Sequence, residues 1–173
     1  MIERTQRRLR QAGFFYKHLV NQQAKGNPEV FRFYFSAFIL SPRTVTWTLN
    51  KEETKKWKAW EPKWGDNLTK EEKKLLKITR DLRNIEEKQG GADLTQELEE
   101  LAVEVLLDAV PPRYASYVHA LRRQSRGAGV TLMQPVHYFK DKDGKQEITT
   151  LCRRYLEVLE KMVNDFCTDM RVD

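Results

Sequence analysis

The stretch FRFYFSAFILSPRTVTWTLNKE, Phe31 to Glu52, contains the most apolar segment of the chain. Apolar side chains fall on nearly every side of a helix drawn through it, which is typical of a helix at the centre of a bundle. Asn27 and Pro28 suit the N-cap and the first helical position. The stretch therefore predicts a helix over residues 28–51, kinked at Pro42 because proline lacks a backbone donor.

Arg43 is the one charge in the middle of this predicted helix. An unpaired charge is too costly to bury, so we expect Arg43 to meet a carboxylate or a bound anion. The tryptophan-rich segment KKWKAWEPKWG, residues 55–65, follows the helix. Tryptophans interleaved with lysines suit either base stacking beside phosphate or a short helix that caps the bundle, and the cap is favoured.

Four more main helices, one short helix and one strand are predicted from spacing and from caps. The helices cover residues 4–23, residues from the capping box Thr69 to Glu72 up to Gly90, residues 94–110, and a last helix capped by Thr149 or Thr150 with the seam Leu151, Tyr155, Val158, Met162 and Phe166. A short helix over residues 113–124 and a strand and turn over residues 130–145 lie between the last two. With 173 residues, we expect a single domain, 1–173, that is mainly helical.

The net charge of +6 is unevenly spread, because residues 1–70 hold fourteen Lys and Arg against six Asp and Glu. A basic surplus raises the expectation of a polyanionic partner such as nucleic acid. Glycine-rich phosphate loops, nucleophile elbows and paired histidines at metal spacing are absent from the sequence, so we expect neither a cofactor nor a metal. No apolar stretch is long enough for a membrane span.

Two cysteines, Cys152 and Cys167, stand fifteen residues apart in the predicted last helix. That spacing corresponds to roughly 22 Å of helix, which is too far for a disulfide. We therefore expect both thiols to be reduced and the protein to be cytoplasmic.

The segment TRDLRNIEEKQGG, Thr79 to Gly91, ends the helix that begins at the capping box. An inward stripe is formed by Leu75, Ile78, Leu82 and Ile85. At about 100° per residue, the opposite side carries Arg80, Arg83, Asn84 and Glu87. This arrangement predicts an outward face that bears an Arg-Asn pair.

The apolar helix, the segment TRDLRNIEEKQ and the C-terminal HYFKDKDGKQEITTLCRRYLEVLEKMVNDF together resemble bacterial proteins related to the HEPN superfamily (higher eukaryotes and prokaryotes nucleotide-binding). The resemblance implies an all-α fold, an antiparallel bundle of four to five main helices, with a short hairpin-like strand segment before the last helix. It also implies a homodimer. Many members are metal-independent endoribonucleases of toxin–antitoxin, phage-defence or CRISPR systems.

The motif of that superfamily is an Arg, often followed by Asn, and then a His after four to six residues. Arg83 and Asn84 match its beginning, but Lys88 stands where the histidine is expected. The looser match Arg113 to His119 has the right spacing but follows Pro-Pro. Since lysine is no base at neutral pH unless its pKa falls substantially, the resemblance implies binding of RNA or a nucleotide with weak or lost ribonuclease activity.

In this hypothesis the phosphate contacts come from Arg80, Arg83, Asn84, Lys88 and Arg43. One alternative is a non-catalytic interaction module, in which Arg83 pairs with Glu87 or with acidic residues of the predicted helix over 97–108. The face then binds a second copy, an antitoxin or another protein. The other alternative is an active ribonuclease toxin that uses His119 with Arg113.

Overall fold

In a computed structural model of the chain, the structure describes residues 2–100, 133–141 and 144–170. Five helices and three strands lie in these ranges. They are α1 (Glu3–Lys25), α2 (Pro28–Glu52), α3 (Thr54–Asn67), α4 (Lys70–Lys88), β1 (Leu94–Glu100), β2 (Met133–Asp141), β3 (Gly144–Glu147) and α5 (Ile148–Met170). The described part is thus mainly helical, as predicted, but a small antiparallel sheet in the order β1-β2-β3 makes the all-α description too simple.

A tight turn joins α1 and α2 into a helical hairpin. Gly26 has a φ of 69°, and its N–H donates to the carbonyls of Gln22 and Gln23, which closes α1. The Asn27 side chain accepts a hydrogen bond from the Val30 N–H at 3.1 Å. The predicted cap at Asn27 and the predicted helix that follows it are both confirmed.

Helix α2 continues through Pro42 as one helix. Proline cannot donate to the carbonyl four residues earlier, which belongs to Phe38. The Ser41 hydroxyl donates to that carbonyl instead, at 2.9 Å. A side-chain donor thus replaces the missing backbone donor, and the helix continues.

One side of α2 packs against α5 to form the core. The residues of α2 buried there include Phe31, Phe35, Phe38, Ile39, Val45 and Leu49. The predicted seam of α5 is confirmed, because its five members Leu151, Tyr155, Val158, Met162 and Phe166 are all buried. Phe38 contacts the Tyr155 ring edge to face, with centroids 6.4 Å apart.

The tryptophans of α3 close one end of this core. The Trp60 ring meets Phe166 edge to face at 5.2 Å, and its Nε1 donates to Asp169 at 2.7 Å. Trp64 donates to Asp165 in the same way, at 3.1 Å. The prediction of a capping helix is therefore confirmed, with the indole N–H groups satisfied by carboxylates of α5.

The prediction that α2 lies at the centre of the bundle is wrong for one of its sides. Phe33, Leu40 and Trp47 are exposed on α2, and Phe14 is exposed on α1. The other sides of α2 contact α1, α3, α4 and α5. An apolar composition all round the helix therefore did not mean burial all round.

The prediction of a helix over residues 94–110 is wrong for residues 94–100, which form β1. These residues pair with β2 in antiparallel register, with Leu94 opposite Phe139 and Glu97 opposite Val136. Lys145 of β3 forms ion pairs with Glu97 and Glu99, and these contacts stabilise the strand. Residues 101–110 and the predicted short helix 113–124 lie outside the described residues.

The predicted strand before the last helix is confirmed as β2, which pairs with β3. Helix α5 begins at Ile148, slightly before the predicted cap. Thr149 and Thr150 therefore lie in its first turn, and their hydroxyls donate to the carboxylate of Glu147. Cys152 and Cys167 both carry free thiols.

His137 of β2 is buried against α2. Its ring stacks on Phe31 with centroids 3.7 Å apart and planes 9° apart. Neither ring nitrogen has a hydrogen-bond partner in the described ranges. Burial, helped by the positive charge of Arg32, lowers the pKa of His137 from 6.5 to about 4. The imidazole is therefore neutral in the folded protein at neutral pH.

This lowered pKa predicts a pH-dependent stability. Between pH 6.5 and about 4 the unfolded chain binds a proton at His137 that the folded chain does not, so stability falls as the pH falls through this window. We expect the free energy of unfolding in urea to drop by about 2 kcal/mol from pH 7 to pH 5 through this group. His137→Phe keeps the stack on Phe31 and should remove that part of the dependence.

His18→Phe is the matched control, because His18 also stacks on an aromatic ring, that of Tyr34. This variant retains His137 and should retain its contribution to the pH dependence. If His137→Phe and the wild type lose equal stability between pH 7 and pH 5, the burial of a neutral imidazole is contradicted.

Candidate nucleic-acid interface

Arg83 lies on α4, one turn after the buried Thr79, and is only half-exposed. Its Nε is buried without a hydrogen-bond partner, and it forms no ion pair within the described residues. Asn84 is also half-buried, whereas Arg80 and Glu87 are exposed as predicted. The prediction of an outward face is therefore wrong for Arg83 and Asn84, because neighbouring helices cover part of that side.

Arg43 meets a carboxylate, as its position in α2 required. Its Nη1 donates to both oxygens of Glu87, at 3.1 and 3.3 Å. The expected burial is wrong, since the Arg43 side chain is exposed. Glu87 follows Arg83 by one helical turn, so Arg43 contacts the helical neighbour of Arg83.

Glu86 joins the C-terminal end of α4 to α2 and to the turn that follows α4. One of its oxygens accepts from the Ser36 hydroxyl of α2 at 2.6 Å, and the other accepts from the Ala92 N–H at 2.7 Å. The second bond folds the chain back across Gly90 and Gly91, which have φ angles of 79° and 122°. Only glycine adopts such angles without strain, so the Gly-Gly break is required by this turn.

Two other predicted contacts, Arg80 and Lys88, also lie on α4. Arg80 is exposed and its Nε is 3.6 Å from the Asp81 carboxylate. Lys88 is exposed and stands five residues beyond Arg83, which corresponds to about 140° around the helix. Arg83 and Arg43 therefore form the centre of the site, and Lys88 lies on another side of α4.

A cleft of about 430 Å³ opens beside this centre, between α2, α3 and α5. Its walls include the aromatic rings of Trp47, Trp57, Trp64 and Tyr155 and the apolar Leu76, Val158, Leu159 and Met162. Polar groups stand among them, namely Arg43, Thr46, Asn50 and Glu61. Aromatic walls with a few polar groups are typical of a site for a planar, partly charged ligand.

Tyr155 joins the cleft to Arg83. Burial raises the pKa of the Tyr155 hydroxyl, while a hydrogen bond with Thr79 and the positive charge of Arg83 act in the opposite direction. The net shift is upward, so the phenol is protonated at neutral pH. It can therefore orient a ligand by hydrogen bonding but does not carry a negative charge that would repel phosphate.

The sequence analysis did not identify Trp47, Asn50 or Tyr155 as site residues. Trp47 follows Arg43 by one helical turn, and that spacing was the available indication that both line one surface. Tyr155 was recognised only as part of the α5 seam. Its proximity to Arg83 depends on the packing of α4 against α5, which no local pattern reveals.

The alternative candidates His119 and Arg113 lie outside the described residues. Within residues 2–100, 133–141 and 144–170, no group of three or more His, Cys, Asp or Glu side chains is arranged to hold a metal ion. None of the helices in these ranges is both long and apolar enough to cross a bilayer. Comparison with protein-family models, with curated proteins and with solved structures finds no significant match.

The enclosure of Arg83 predicts an unusual effect on stability. A buried donor without an acceptor is unfavourable, so Arg83→Met, which keeps a long unbranched side chain, should raise the free energy of unfolding by about 1 kcal/mol. Arg43→Met removes an exposed ion pair and should lower it by about 0.5 kcal/mol. Urea unfolding at low phosphate concentration measures both. A loss of more than 1 kcal/mol in Arg83→Met would show that Arg83 is satisfied in the folded protein.

Proposed function

We propose that this chain is a HEPN-like, dimeric helical protein that binds RNA or a nucleotide-bearing partner at Arg43 and Arg83, with ribonuclease activity weak or lost. In this proposal the protein acts in the cytoplasm, in a toxin–antitoxin or phage-defence setting where an antitoxin or another protein is a further partner. A phosphate lies against Arg83, and the aromatic cleft takes an unstacked base.

The single observation that carries this proposal is the half-buried Arg83 guanidinium, whose Nε has no acceptor among the described residues. A phosphate supplies the missing acceptor, and guanidinium groups bind phosphate through paired hydrogen bonds. Asn84, next along α4, offers an amide that can orient the same phosphate. The cleft adds aromatic surface of the kind on which single-stranded bases stack.

Binding is favoured over cleavage by the surroundings of the described histidines. His18 stacks on Tyr34, and His137 is buried against Phe31 and neutral. Both histidines make their ring contacts with aromatic residues of α1 and α2. Lys88 lies on a different side of α4 from Arg83. The proton transfers that 2′-hydroxyl attack requires therefore lack a suitable group among these residues.

The second candidate function, a protein-interaction module, is favoured by one observation. Arg43 and Glu87 already neutralise each other at the edge of the site, as charges at a protein interface often do. The two candidates differ in salt dependence. Nucleic-acid binding weakens steeply as salt rises, because phosphate contacts release counterions, whereas a mixed polar interface changes little.

The assay for the proposed function is fluorescence anisotropy with a labelled single-stranded RNA. Arg83→Met should weaken binding roughly tenfold and lower the slope of log affinity against log salt by about one. Arg154→Met is the matched control, since Arg154 is exposed on α5 and the charge change is identical. Equal affinities of Arg83→Met and the wild type would contradict the assigned role of Arg83.

The ribonuclease alternative makes a separate prediction. Incubation of the purified protein with the same RNA, without metal, should leave the RNA intact. Cleavage that His119→Ala or Arg113→Ala abolishes would instead favour the active toxin, because those residues complete the looser Arg-to-His spacing.

A further inference from the structure

Three exposed apolar side chains form a regular stripe on α2. Phe33, Leu40 and Trp47 are 64%, 36% and 61% exposed, and each follows the previous one by seven residues. Seven residues are two helical turns, so the three side chains lie on one side of the helix, in a row about 21 Å long. We call this row the α2 stripe. The stripe is not part of the core, and it meets the cleft at Trp47, which also forms one of the cleft walls.

The apolar surface continues onto α1. The Phe14 ring, also exposed, lies 4.3 Å from His18, which stacks on Tyr34 at 5.0 Å. Together with the stripe, this surface exposes roughly 450 Å² of apolar area, within the range of the largest and often functional patches of monomers. A standard dimer buries about 800 Å² per partner, so this apolar area would form the centre of such an interface and polar residues its rim.

The spacing of the stripe is self-complementary. Leu40 is its midpoint, and Phe33 and Trp47 lie seven residues to either side. We propose that the α2 stripe is a homodimer interface, in which α2 packs antiparallel to the partner's α2 across a two-fold axis at Leu40. Phe33 then faces the partner's Trp47, and Trp47 faces the partner's Phe33. Such a contact is closed and isologous.

Charge complementarity supports this choice of partner. Glu29 and Lys51 lie eleven residues to either side of Leu40, on the same side of α2, and both are exposed. The two-fold axis places Glu29 opposite the partner's Lys51. One Glu–Lys ion pair therefore lies at each end of the interface. Nearer the axis, Arg43 lies opposite the partner's Ala37, and no like charges meet.

The dimer has a consequence for the candidate site. Arg43 lies three residues from the axis, so the two copies of Arg43 are about 9 Å apart along the helices, on the same edge of the interface. Two Arg43–Arg83 sites then open on one surface, which can follow one polyanionic strand. This consequence, like the dimeric state itself, rests on the proposed function, whereas the location of the interface is argued from the α2 stripe alone.

Sedimentation equilibrium of the full chain tests the interface. We expect the wild type to be a dimer, and Glu29→Lys or Lys51→Glu alone to raise the dimer dissociation constant roughly tenfold, because each places like charges opposite each other twice. The double variant Glu29→Lys with Lys51→Glu should restore the wild-type value. Leu40→Lys should give a monomer, since two ammonium groups then meet at the axis.

Lys55→Glu is the control, because Lys55 is exposed on α3 and has the same charge change. Circular dichroism melts check that each variant is folded. A monomeric wild type would overturn the proposal, whatever else then covers the stripe. A dimer that responds to none of the α2 variants would also overturn it, because the contact would then involve residues 101–132 or another face.

The RNA assay is run separately on the same variants. A wild type that dimerises but shows no RNA binding contradicts the proposed function and leaves the interface intact. A monomeric wild type that still binds RNA through Arg83 overturns the interface and the dimeric part of the proposed function, and it leaves the proposed RNA binding intact.

Discussion

The packing of α2 against α1, α4 and α5 determines how the described helices are arranged around the candidate site. Phe31, Phe35 and Phe38 are fully buried, and each contributes roughly 2 to 3 kcal/mol by leaving water. Phe38 contacts both Tyr16 of α1 and Tyr155 of α5, so one ring joins three helices. Tyr155 in turn approaches Thr79 and Arg83 on α4. The position of Arg83 relative to the cleft is therefore set by an apolar contact made on the opposite side of Tyr155.

The electrostatics of the site depend on the hydrogen bonds that two adjacent carboxylates, Glu86 and Glu87, accept. Glu86 accepts from Ser36 and from the Ala92 N–H, which closes the Gly-Gly turn. Glu87 accepts both hydrogen bonds of Arg43. With both carboxylates engaged, Arg83 is left without an acceptor in the described part of the chain, although it lies within one turn of them. The folded protein thus uses these two carboxylates for structural contacts, and the Arg83 Nε has no hydrogen-bond partner among the described residues.

Local patterns in the sequence were sufficient to predict most of the helices. They were insufficient to predict strand β1, which depends on pairing with residues distant in the sequence. The caps at Asn27 and Thr69, the seam of α5 and the strand before it were all predicted, because each is determined by neighbours within a few residues. Residues 94–100 were predicted as helix because their leucines and acids suit one, yet pairing with β2 and the charge of Lys145 hold them as a strand. Arg43, Arg83 and Asn84 were identified, but their exposure was not. A helical projection gives the angle of a side chain and cannot show which neighbouring helix covers it.

The two exposed features of α2 are physically connected, since Arg43 borders the α2 stripe and also lines the cleft. If the dimer brings two copies of Arg43 to one edge, a polyanion that spans both copies binds the dimer more tightly than the monomer. Linkage then requires that the same polyanion tightens the dimer by the same factor. Repulsion between the two Arg43 side chains is limited by the paired Glu87, which lowers the cost of assembly before a ligand arrives. The Arg43–Glu87 pair therefore has a role in both proposals. It permits the two basic sites to approach, and it leaves Arg83, which has no carboxylate partner among the described residues, as the proposed principal contact for phosphate.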